Sequence, residues 1–346
     1  MTRLRLFVSR RPLSDFRGYL VLLIAYVVGG AVAPAMFSTE SIRSLVTYSV
    51  PTALVAIGEA CILIVAELDL SLGAILALSG VVFARTLDAG APLAIAIIVA
   101  LLVSALCGLI NGLCVTRLGV SSFIVTLGSS FSIYGLALAV SSGVIVSLTD
   151  FGPTEWLANY WFGFVTPELL IFLVLVGAVA LIVGRARWGR ALYAAGGDRE
   201  AAIRWGLPVR RTVLKAFILS AALAGAAGII LTIGLATGDP TVGSDTLLSA
   251  IAGAVIGGVA VSGGKGRIGS AACGAVALMT LQIVLSERNV AASPEEFVTG
   301  LVVVLVGLGR FDIGGLLARH RRGEADPERR DHEMAFGTGY LGDQTK

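Results

Sequence analysis

Long, uninterrupted apolar runs recur through most of this sequence, and they constrain its fold more than any other feature. A run of roughly 20 apolar residues is long enough to cross the hydrocarbon core of a bilayer as an α-helix. Transmembrane β-barrels instead show short alternating segments, so the runs predict an all-α polytopic membrane protein. The composition agrees, because 14% of the residues are charged, compared with about 25% in soluble domains.

The apolar runs predict about ten transmembrane helices. The interval 44–84 is too long for one crossing and is interrupted at Glu67 and Asp69. We therefore expect two segments there, with Asp69 as an N-cap and a new helix starting at Leu70. The predicted spans are 18–37, two within 44–84, 93–115, 123–142, 168–183, 216–236, 246–261, 268–285 and 297–311.

Basic residues concentrate in the polar interval 184–215, which contains seven arginines and one lysine against two acidic residues. By the positive-inside rule this interval is cytoplasmic. The predicted crossings then place both termini in the cytoplasm and the connection 144–167 outside, although Arg43, Arg85 and Arg288 also fall outside. The expected organisation is a basic cytoplasmic N-terminus (1–17), a transmembrane domain (18–318) that contains the loop 184–215, and a disordered cytoplasmic tail (319–346).

Several kinds of chemistry are not indicated. The cysteines lie in apolar runs without a CxxC pair, and both histidines lie in the C-terminal tail, so we expect no metal site and no catalytic residue. The glycine-rich stretch 258–266 lacks the first glycine and the Ser or Thr of a phosphate-binding loop. We therefore expect no cofactor bound by this chain, and the absence of a basic patch with interleaved aromatic residues predicts no nucleic-acid partner.

A small set of polar residues in the apolar runs forms the candidate translocation path. Carboxyl groups are costly in lipid and often functional, and hydroxyl and amide groups can bind a hydroxyl-rich solute. Helix capping and hydrogen bonds between helices explain the same residues equally well, so both interpretations stay open. The candidates are Glu59, Asp69, Ser71, Asn111, Thr126 and Ser129.

The interval 184–215 contains a predicted short helix. Asp198 suits an N-cap, and Gly206 followed by Pro208 ends the helix. Ile203 and Trp205 are apolar residues that a solvated loop has no reason to expose. We therefore predict a docking helix for a cytoplasmic protein, in which Ala201 and Ala202 provide a flat surface of small residues. Its candidate residues are Asp198, Arg199, Glu200, Ala201, Ala202, Ile203, Trp205 and Gly206.

Four ordered motifs carry a family resemblance over about 44–312. They are AELDLSLG at 66–73, NG at 111–112 with SFIVTLG at 122–128, GRALYAAGG at 189–197, and IGG at 256–258 with SGGKGRIG at 262–269. In these motifs the chain resembles the permease subunits of ribose-type, or simple-sugar, ABC importers.

The resemblance implies a multi-pass subunit of the bacterial plasma (inner) membrane that moves a small polar solute, such as a monosaccharide or a related polyol, by alternating access. It implies a cytoplasmic ATP-binding subunit that holds ATP and Mg²⁺, an extracytoplasmic solute-binding protein, and a second permease copy or a paralogue. Glu200, Ala201, Ala202 and Gly206 then fall where the family places its coupling helix.

The chain departs from the family pattern just before 256–258. Many relatives carry two acidic residues there, and this chain has Leu247 and Ser249, so the choice between a pentose, a hexose, a cyclitol and a furanone-type signalling sugar stays open. A self-sufficient ion-coupled transporter is the alternative function, and it would depend on Glu59, Glu67 and Asp69. A membrane-embedded hydrolase would need histidine, paired aspartates or an activated serine within the spans.

Overall fold

The computed structural model describes residues 16–149, 152–158, 165–288 and 300–301. Nearly all of the predicted N-terminal segment, most of the predicted span 297–311 and the whole predicted tail 319–346 lie outside these residues. The described helices are α1 (Arg17–Val32), α2 (Thr39–Ile64), α3 (Leu72–Asp88), α4 (Leu93–Arg117), α5 (Ser122–Ser141), α6 (Gly152–Ala158), α7 (Pro167–Arg185), α8 (Arg187–Gly197), α9 (Arg199–Arg204), α10 (Val209–Leu235), α11 (Gly243–Ile256) and α12 (Ile268–Glu287).

The predicted all-α polytopic architecture is confirmed. Six helices within the described part of the chain are long and apolar enough to cross a membrane, and α1 and α11 are shorter apolar helices. Two very short strands, β1 (Val146–Ser147) and β2 (Thr237–Gly238), pair antiparallel. The total of about ten spans and the location of the termini stay predictions.

Several predicted boundaries were wrong. Helix α3 begins at Leu72 and not at Leu70, because Asp69 bonds the backbone N–H of Ser71 and holds a turn before the helix. Helix α1 ends at Val32, since Pro34 starts a separate 3₁₀ turn. The interval 184–215 is not a loop with a single helix, because it also contains α8 and the first residues of α10.

Helices α2, α3 and α10 form the centre of the bundle. Small residues bring their backbones together, as is common for helix packing in lipid. A Cβ on Gly228 of α10 would collide with the carbonyl oxygen of Leu76 in α3. In the same way, Gly108 of α4 lies against the backbone of Phe217 and the side chain of Ala221 in α10.

Arg85 lies at the end of α3 that is close to the end of α5. Its guanidinium donates hydrogen bonds to the carbonyl oxygens of Val140 and Ser141, at 3.2 and 3.0 Å. The last carbonyls of a helix lack partners within the helix and carry partial negative charge. Arg85 therefore has a structural role at this end of the bundle, which explains a charge that the predicted orientation places on the outer side.

Candidate functional site

The interruption between α2 and α3, residues 65–71, is the centre of the candidate site, and we call it the helix break. Helix α2 ends in a Schellman motif. The N–H of Glu67 donates to the carbonyl oxygen of Ile62, and the N–H of Ala66 donates to the carbonyl oxygen of Leu63. Ala66 occupies the left-handed position with φ of 62°. Glycine usually takes this position, because a Cβ is strained there.

Three of the predicted path residues form one hydrogen-bond network within the break and the neighbouring α4. Asp69 Oδ1 accepts from both the backbone N–H and the hydroxyl of Ser71, at 2.9 and 2.6 Å. Asn111 Nδ2 in turn donates to the Ser71 hydroxyl oxygen at 2.8 Å. All three residues are buried, so this network ties the break to α4 in a region where unsatisfied polar groups are costly.

Helix α5 holds the backbone of the break from another direction. Thr126 Oγ1 accepts from the N–H of Leu70 at 3.0 Å, and Ser122 Oγ accepts from the N–H of Leu68 at 3.3 Å. Thr126 was among the predicted residues, whereas Ser122 was missed because a serine at a helix start is usually a local cap. The hydroxyl of Ser129 bonds only the carbonyl oxygen of Thr126 in its own helix.

Glu59 is fully buried in α2, and neither of its carboxyl oxygens has a hydrogen-bond partner. The carboxyl group and the backbone N–H of Asp69 are both close to the Glu59 carboxyl group, although neither Glu59 oxygen makes a hydrogen bond of normal geometry. Asp69 Oδ2 is also buried and has no hydrogen-bond partner. Buried polar atoms are normally hydrogen-bonded, so these carboxyl oxygens are acceptors that packing alone does not explain.

The predicted docking helix corresponds to α9 (Arg199–Arg204), a single helix with the predicted cap. Asp198 Oδ1 accepts from the N–H of Ala201 at 2.8 Å. Ile203 is 58% exposed and Trp205 is 84% exposed. A large indole in contact with solvent is uncommon in a soluble surface loop. The two apolar side chains therefore form an uncovered surface at the end of α9, which we call the α9 apolar surface.

The predicted flat surface of two alanines is wrong in one respect. Ala202 is 4% exposed, so its methyl group packs inward and cannot be part of an exposed surface. Gly206 follows α9 with φ of 74°, and a Cβ there would meet no atom within 4 Å. The positive φ therefore favours glycine at this position, whereas crowding does not.

A cleft of 630 Å³ lies beside the α9 apolar surface. Its lining includes the apolar residues Val115, Ile203 and Leu207. Its remaining lining includes Arg199, Arg210 and Arg211. The cleft therefore combines apolar and cationic character next to the helix that the sequence predicted to bind another protein.

The structure places α9 directly against the helix break. Arg199 Nη1 lies 2.7 Å from Glu67 Oε1 and donates a hydrogen bond to it. The two residues are 132 positions apart, and local sequence patterns give no signal for such a pair. The predicted docking helix and the predicted path residues therefore belong to one connected region.

The glycine-rich stretch that follows α11 packs against the same region. The N–H of Gly264 donates to the carbonyl oxygen of Ile64 at 2.8 Å. The hydroxyl of Tyr193 in α8 donates to the carbonyl oxygen of Gly266 at 2.7 Å. A Cβ on Gly196 would collide with the Ile64 carbonyl oxygen. These glycines permit close backbone contact between α2, α8 and the stretch 257–267.

Residues 41–307 match the model of a protein family described as the permease component of branched-chain amino acid transport systems. The chain belongs to this family. It is 35% identical to the D-allose transport system permease protein of Escherichia coli K12 over 297 aligned residues. The alignment covers 85% of this chain and 90% of that protein.

Other relatives are also sugar permeases by name. The ribose import permease protein of Bacillus subtilis is 32% identical over 84% of this chain and 90% of its own length. The xylose transport system permease protein of Escherichia coli K12 is 29% identical over 78% of this chain and 84% of its own length. The chain is therefore a multi-pass transport permease subunit and not an enzyme, and membership of this family excludes the self-sufficient ion-coupled transporter.

Proposed function

We propose that this chain imports a monosaccharide or a related polyol as the permease subunit of a binding-protein-dependent ABC importer. The relatives named for D-allose, ribose and xylose support a sugar over the amino acid in the family description. The buried hydroxyl, amide and carboxyl groups around the helix break are groups that bind sugar hydroxyls well.

The observation that carries the proposal is the α9 apolar surface, where Trp205 is 84% exposed. Energetic hot spots of protein interfaces are enriched in tryptophan. We assign α9 as the coupling helix, which binds a cytoplasmic ATPase subunit that holds ATP and Mg²⁺. The cationic cleft beside it favours an acidic surface on that partner.

The proposed orientation follows from the contacts at the two ends of the bundle. The helix break, α9 and the stretch 257–267 all meet at one end, and the arginine-rich interval 184–215 belongs to it. Such a basic end is cytoplasmic in a bacterial inner membrane. The opposite end, with β1 and β2, then faces the extracytoplasmic solute-binding protein.

Helix α5 supports a second permease copy or a paralogue as a further partner. It is exposed at Phe131 and Leu136, and it also exposes small residues at which a Cβ would meet no atom within 4 Å, namely Gly128 and Gly135. Small residues allow helices to approach closely within lipid. We propose that this face of α5 contacts the second permease and lines the path between the two subunits.

We further propose that Glu59 and Asp69 contact the solute or its water when the bundle opens. Their unpartnered carboxyl oxygens are hydrogen-bond acceptors that sugar hydroxyls can satisfy. Ser71, Asn111 and Thr126 then hold the break in place, and Ser129 lies one helical turn further along α5.

The test is uptake by the full complex of permease, ATPase subunit and binding protein in proteoliposomes, with labelled D-allose, D-ribose and D-xylose as probes. We expect ATP-dependent uptake of at least one sugar. Trp205→Ala should weaken ATPase association by about tenfold or more, because it removes the largest exposed apolar side chain of α9.

Trp156→Ala is the matched control, since Trp156 is also exposed, at 55%, but lies in α6. It should leave ATPase association unchanged. Equal ATPase association for the two variants would contradict the assignment of α9. Uptake that depends on an ion gradient and not on ATP would contradict the proposed function as a whole.

A further inference from the structure

Two contacts beside the start of α9 join it to the bundle, in addition to the inward packing of Ala202. The first lies at Gly196, just before α9, where α8 packs against the Ile64 carbonyl oxygen and the Gly264 N–H with no room for a Cβ. A contact between backbones does not adjust by side-chain rotation. This contact therefore leaves little room for adjustment beside α9.

The second attachment is the ion pair between Arg199 and Glu67. The Glu67 side chain is 10% exposed and that of Arg199 is 47% exposed. Ion pairs with a solvent-exposed partner contribute little to stability, about 0–1 kcal/mol. The position of this pair, between α9 and the helix break, is therefore more informative than its strength.

Glu67 lies within the helix break, next to the residues that are bonded to α4 and α5. It immediately precedes Leu68 and is two positions from Asp69. The backbone N–H groups of Leu68 and Leu70 are held by α5, and Asp69 is bonded to Ser71, which Asn111 of α4 holds. A displacement of Glu67 is therefore passed to hydrogen bonds with α4 and α5.

We infer that Glu67 is a positioning residue for transport, which transmits the motion of α9 to the helix break through its ion pair with Arg199. This inference rests on the proposed function, since it takes α9 to be the helix that the ATPase moves. It assigns a transport role to a carboxyl group outside the α9 apolar surface and outside the set of predicted path residues.

The test measures ATP hydrolysis and uptake by the full reconstituted complex, with and without binding protein loaded with the sugar found to be transported. Glu67→Gln keeps the shape of the side chain and the oxygen that accepts from Arg199, but it removes the negative charge of the ion pair. We expect this variant to bind the ATPase subunit and to keep its basal hydrolysis. Its stimulation by loaded binding protein should fall by about fivefold, the lower end of typical coupling between sites.

The swapped pair Glu67→Arg with Arg199→Glu provides a second test. Each reversal alone places like charges together and should abolish stimulation. The swapped pair should restore at least half of it, because the attraction is recovered in opposite polarity. Arg204→Ala is the control on the same helix, since Arg204 has no salt-bridge partner in the described part of the chain. Loaded binding protein should stimulate ATP hydrolysis by this variant as it does for the unmodified complex.

Normal stimulation of Glu67→Gln would overturn the inference, and so would a swapped pair that binds the ATPase subunit but is stimulated no better than the single reversals. Loss of ATPase binding by Glu67→Gln would also overturn it, because Glu67 would then act in docking and not in transmission. Failure of the proposed function has a different signature, since the unmodified complex would then show neither ATPase association nor ATP-dependent uptake.

Discussion

Helices α2 and α4 differ in a way that inverts the expectation for soluble proteins. The most apolar stretch of α4 has a mean hydropathy of 3.0, yet 22% of it is buried, whereas α2 has 1.6 and is 89% buried. Helices α10 and α5 show the same contrast in burial, at 78% and 17%. The outer helices α4 and α5 are therefore covered by lipid or by another subunit, and the inner helices by protein.

The difference shows where polar groups are tolerated in this bundle. Lipid is as apolar as leucine, so the inner helices are not selected for greater apolarity. They carry small residues for close packing, and the break between α2 and α3 carries carboxyl groups that would be costly in lipid. The candidate site is therefore inside the bundle because its surroundings can satisfy polar groups.

Substitution of glycine by leucine should separate the two regions most strongly. Gly228→Leu in α10 forces a side chain against the Leu76 carbonyl oxygen, and we expect the free energy of unfolding to fall by about 3 kcal/mol. At Gly177 in α7 a Cβ would meet no atom within 4 Å, so Gly177→Leu should not reduce stability. Thermal unfolding in detergent checks both, and equal midpoints would contradict the proposed packing.

Loss of a polar side chain should lower the free energy of unfolding in the buried centre of the bundle and leave it unchanged on the exposed face of α5. Asn111→Leu removes the donor to Ser71 and leaves the Ser71–Asp69 pair partly unsatisfied, which should destabilise the protein by about 2 kcal/mol. Ser132→Ala in α5 loses a bond to the Gly128 carbonyl oxygen within its own exposed turn. Its unfolding midpoint should match that of the unmodified protein, and a large decrease would show that α5 is more constrained than its exposure indicates.

Glu59→Met should stabilise the protein while impairing transport. The substitution replaces two buried carboxyl oxygens that lack hydrogen-bond partners with an apolar side chain of similar length, and a gain of about 1 kcal/mol is expected. Uptake in proteoliposomes should decrease if the carboxyl group contacts the solute, as proposed. Higher stability with unchanged uptake would remove Glu59 from the path.

The smallest effect is expected at Ala66. Its left-handed backbone conformation costs roughly 1–2 kcal/mol for a residue with a Cβ, and glycine removes this strain at the expense of a more flexible unfolded chain. Ala66→Gly should therefore raise the unfolding free energy by about 0.5 kcal/mol. A decrease would show that the greater flexibility of the unfolded chain outweighs the relief of strain.

Much of the fold could be predicted because hydrocarbon thickness sets helix length and lipid excludes unsatisfied backbone. The position of α4 was predicted to within two residues on this basis. Boundaries failed where local hydrogen bonds compete with hydropathy, as at Ser71, and where polar residues continue a helix beyond the apolar run, as at the start of α10. Helix α8 was missed because its arginines interrupt the apolar pattern from which the other helices were predicted.

The sequence by itself determined that this chain is a helical membrane protein, that the candidate path residues lie within its apolar segments, and that a capped helix with two uncovered apolar residues follows Asp198. These properties depend on composition and on neighbours within a few positions. Tertiary structure alone decided that Asn111 reaches Ser71, that Ala202 faces inward and that Arg199 meets Glu67. Such contacts join residues far apart in the chain, and they form only when close packing at glycines brings the helices together.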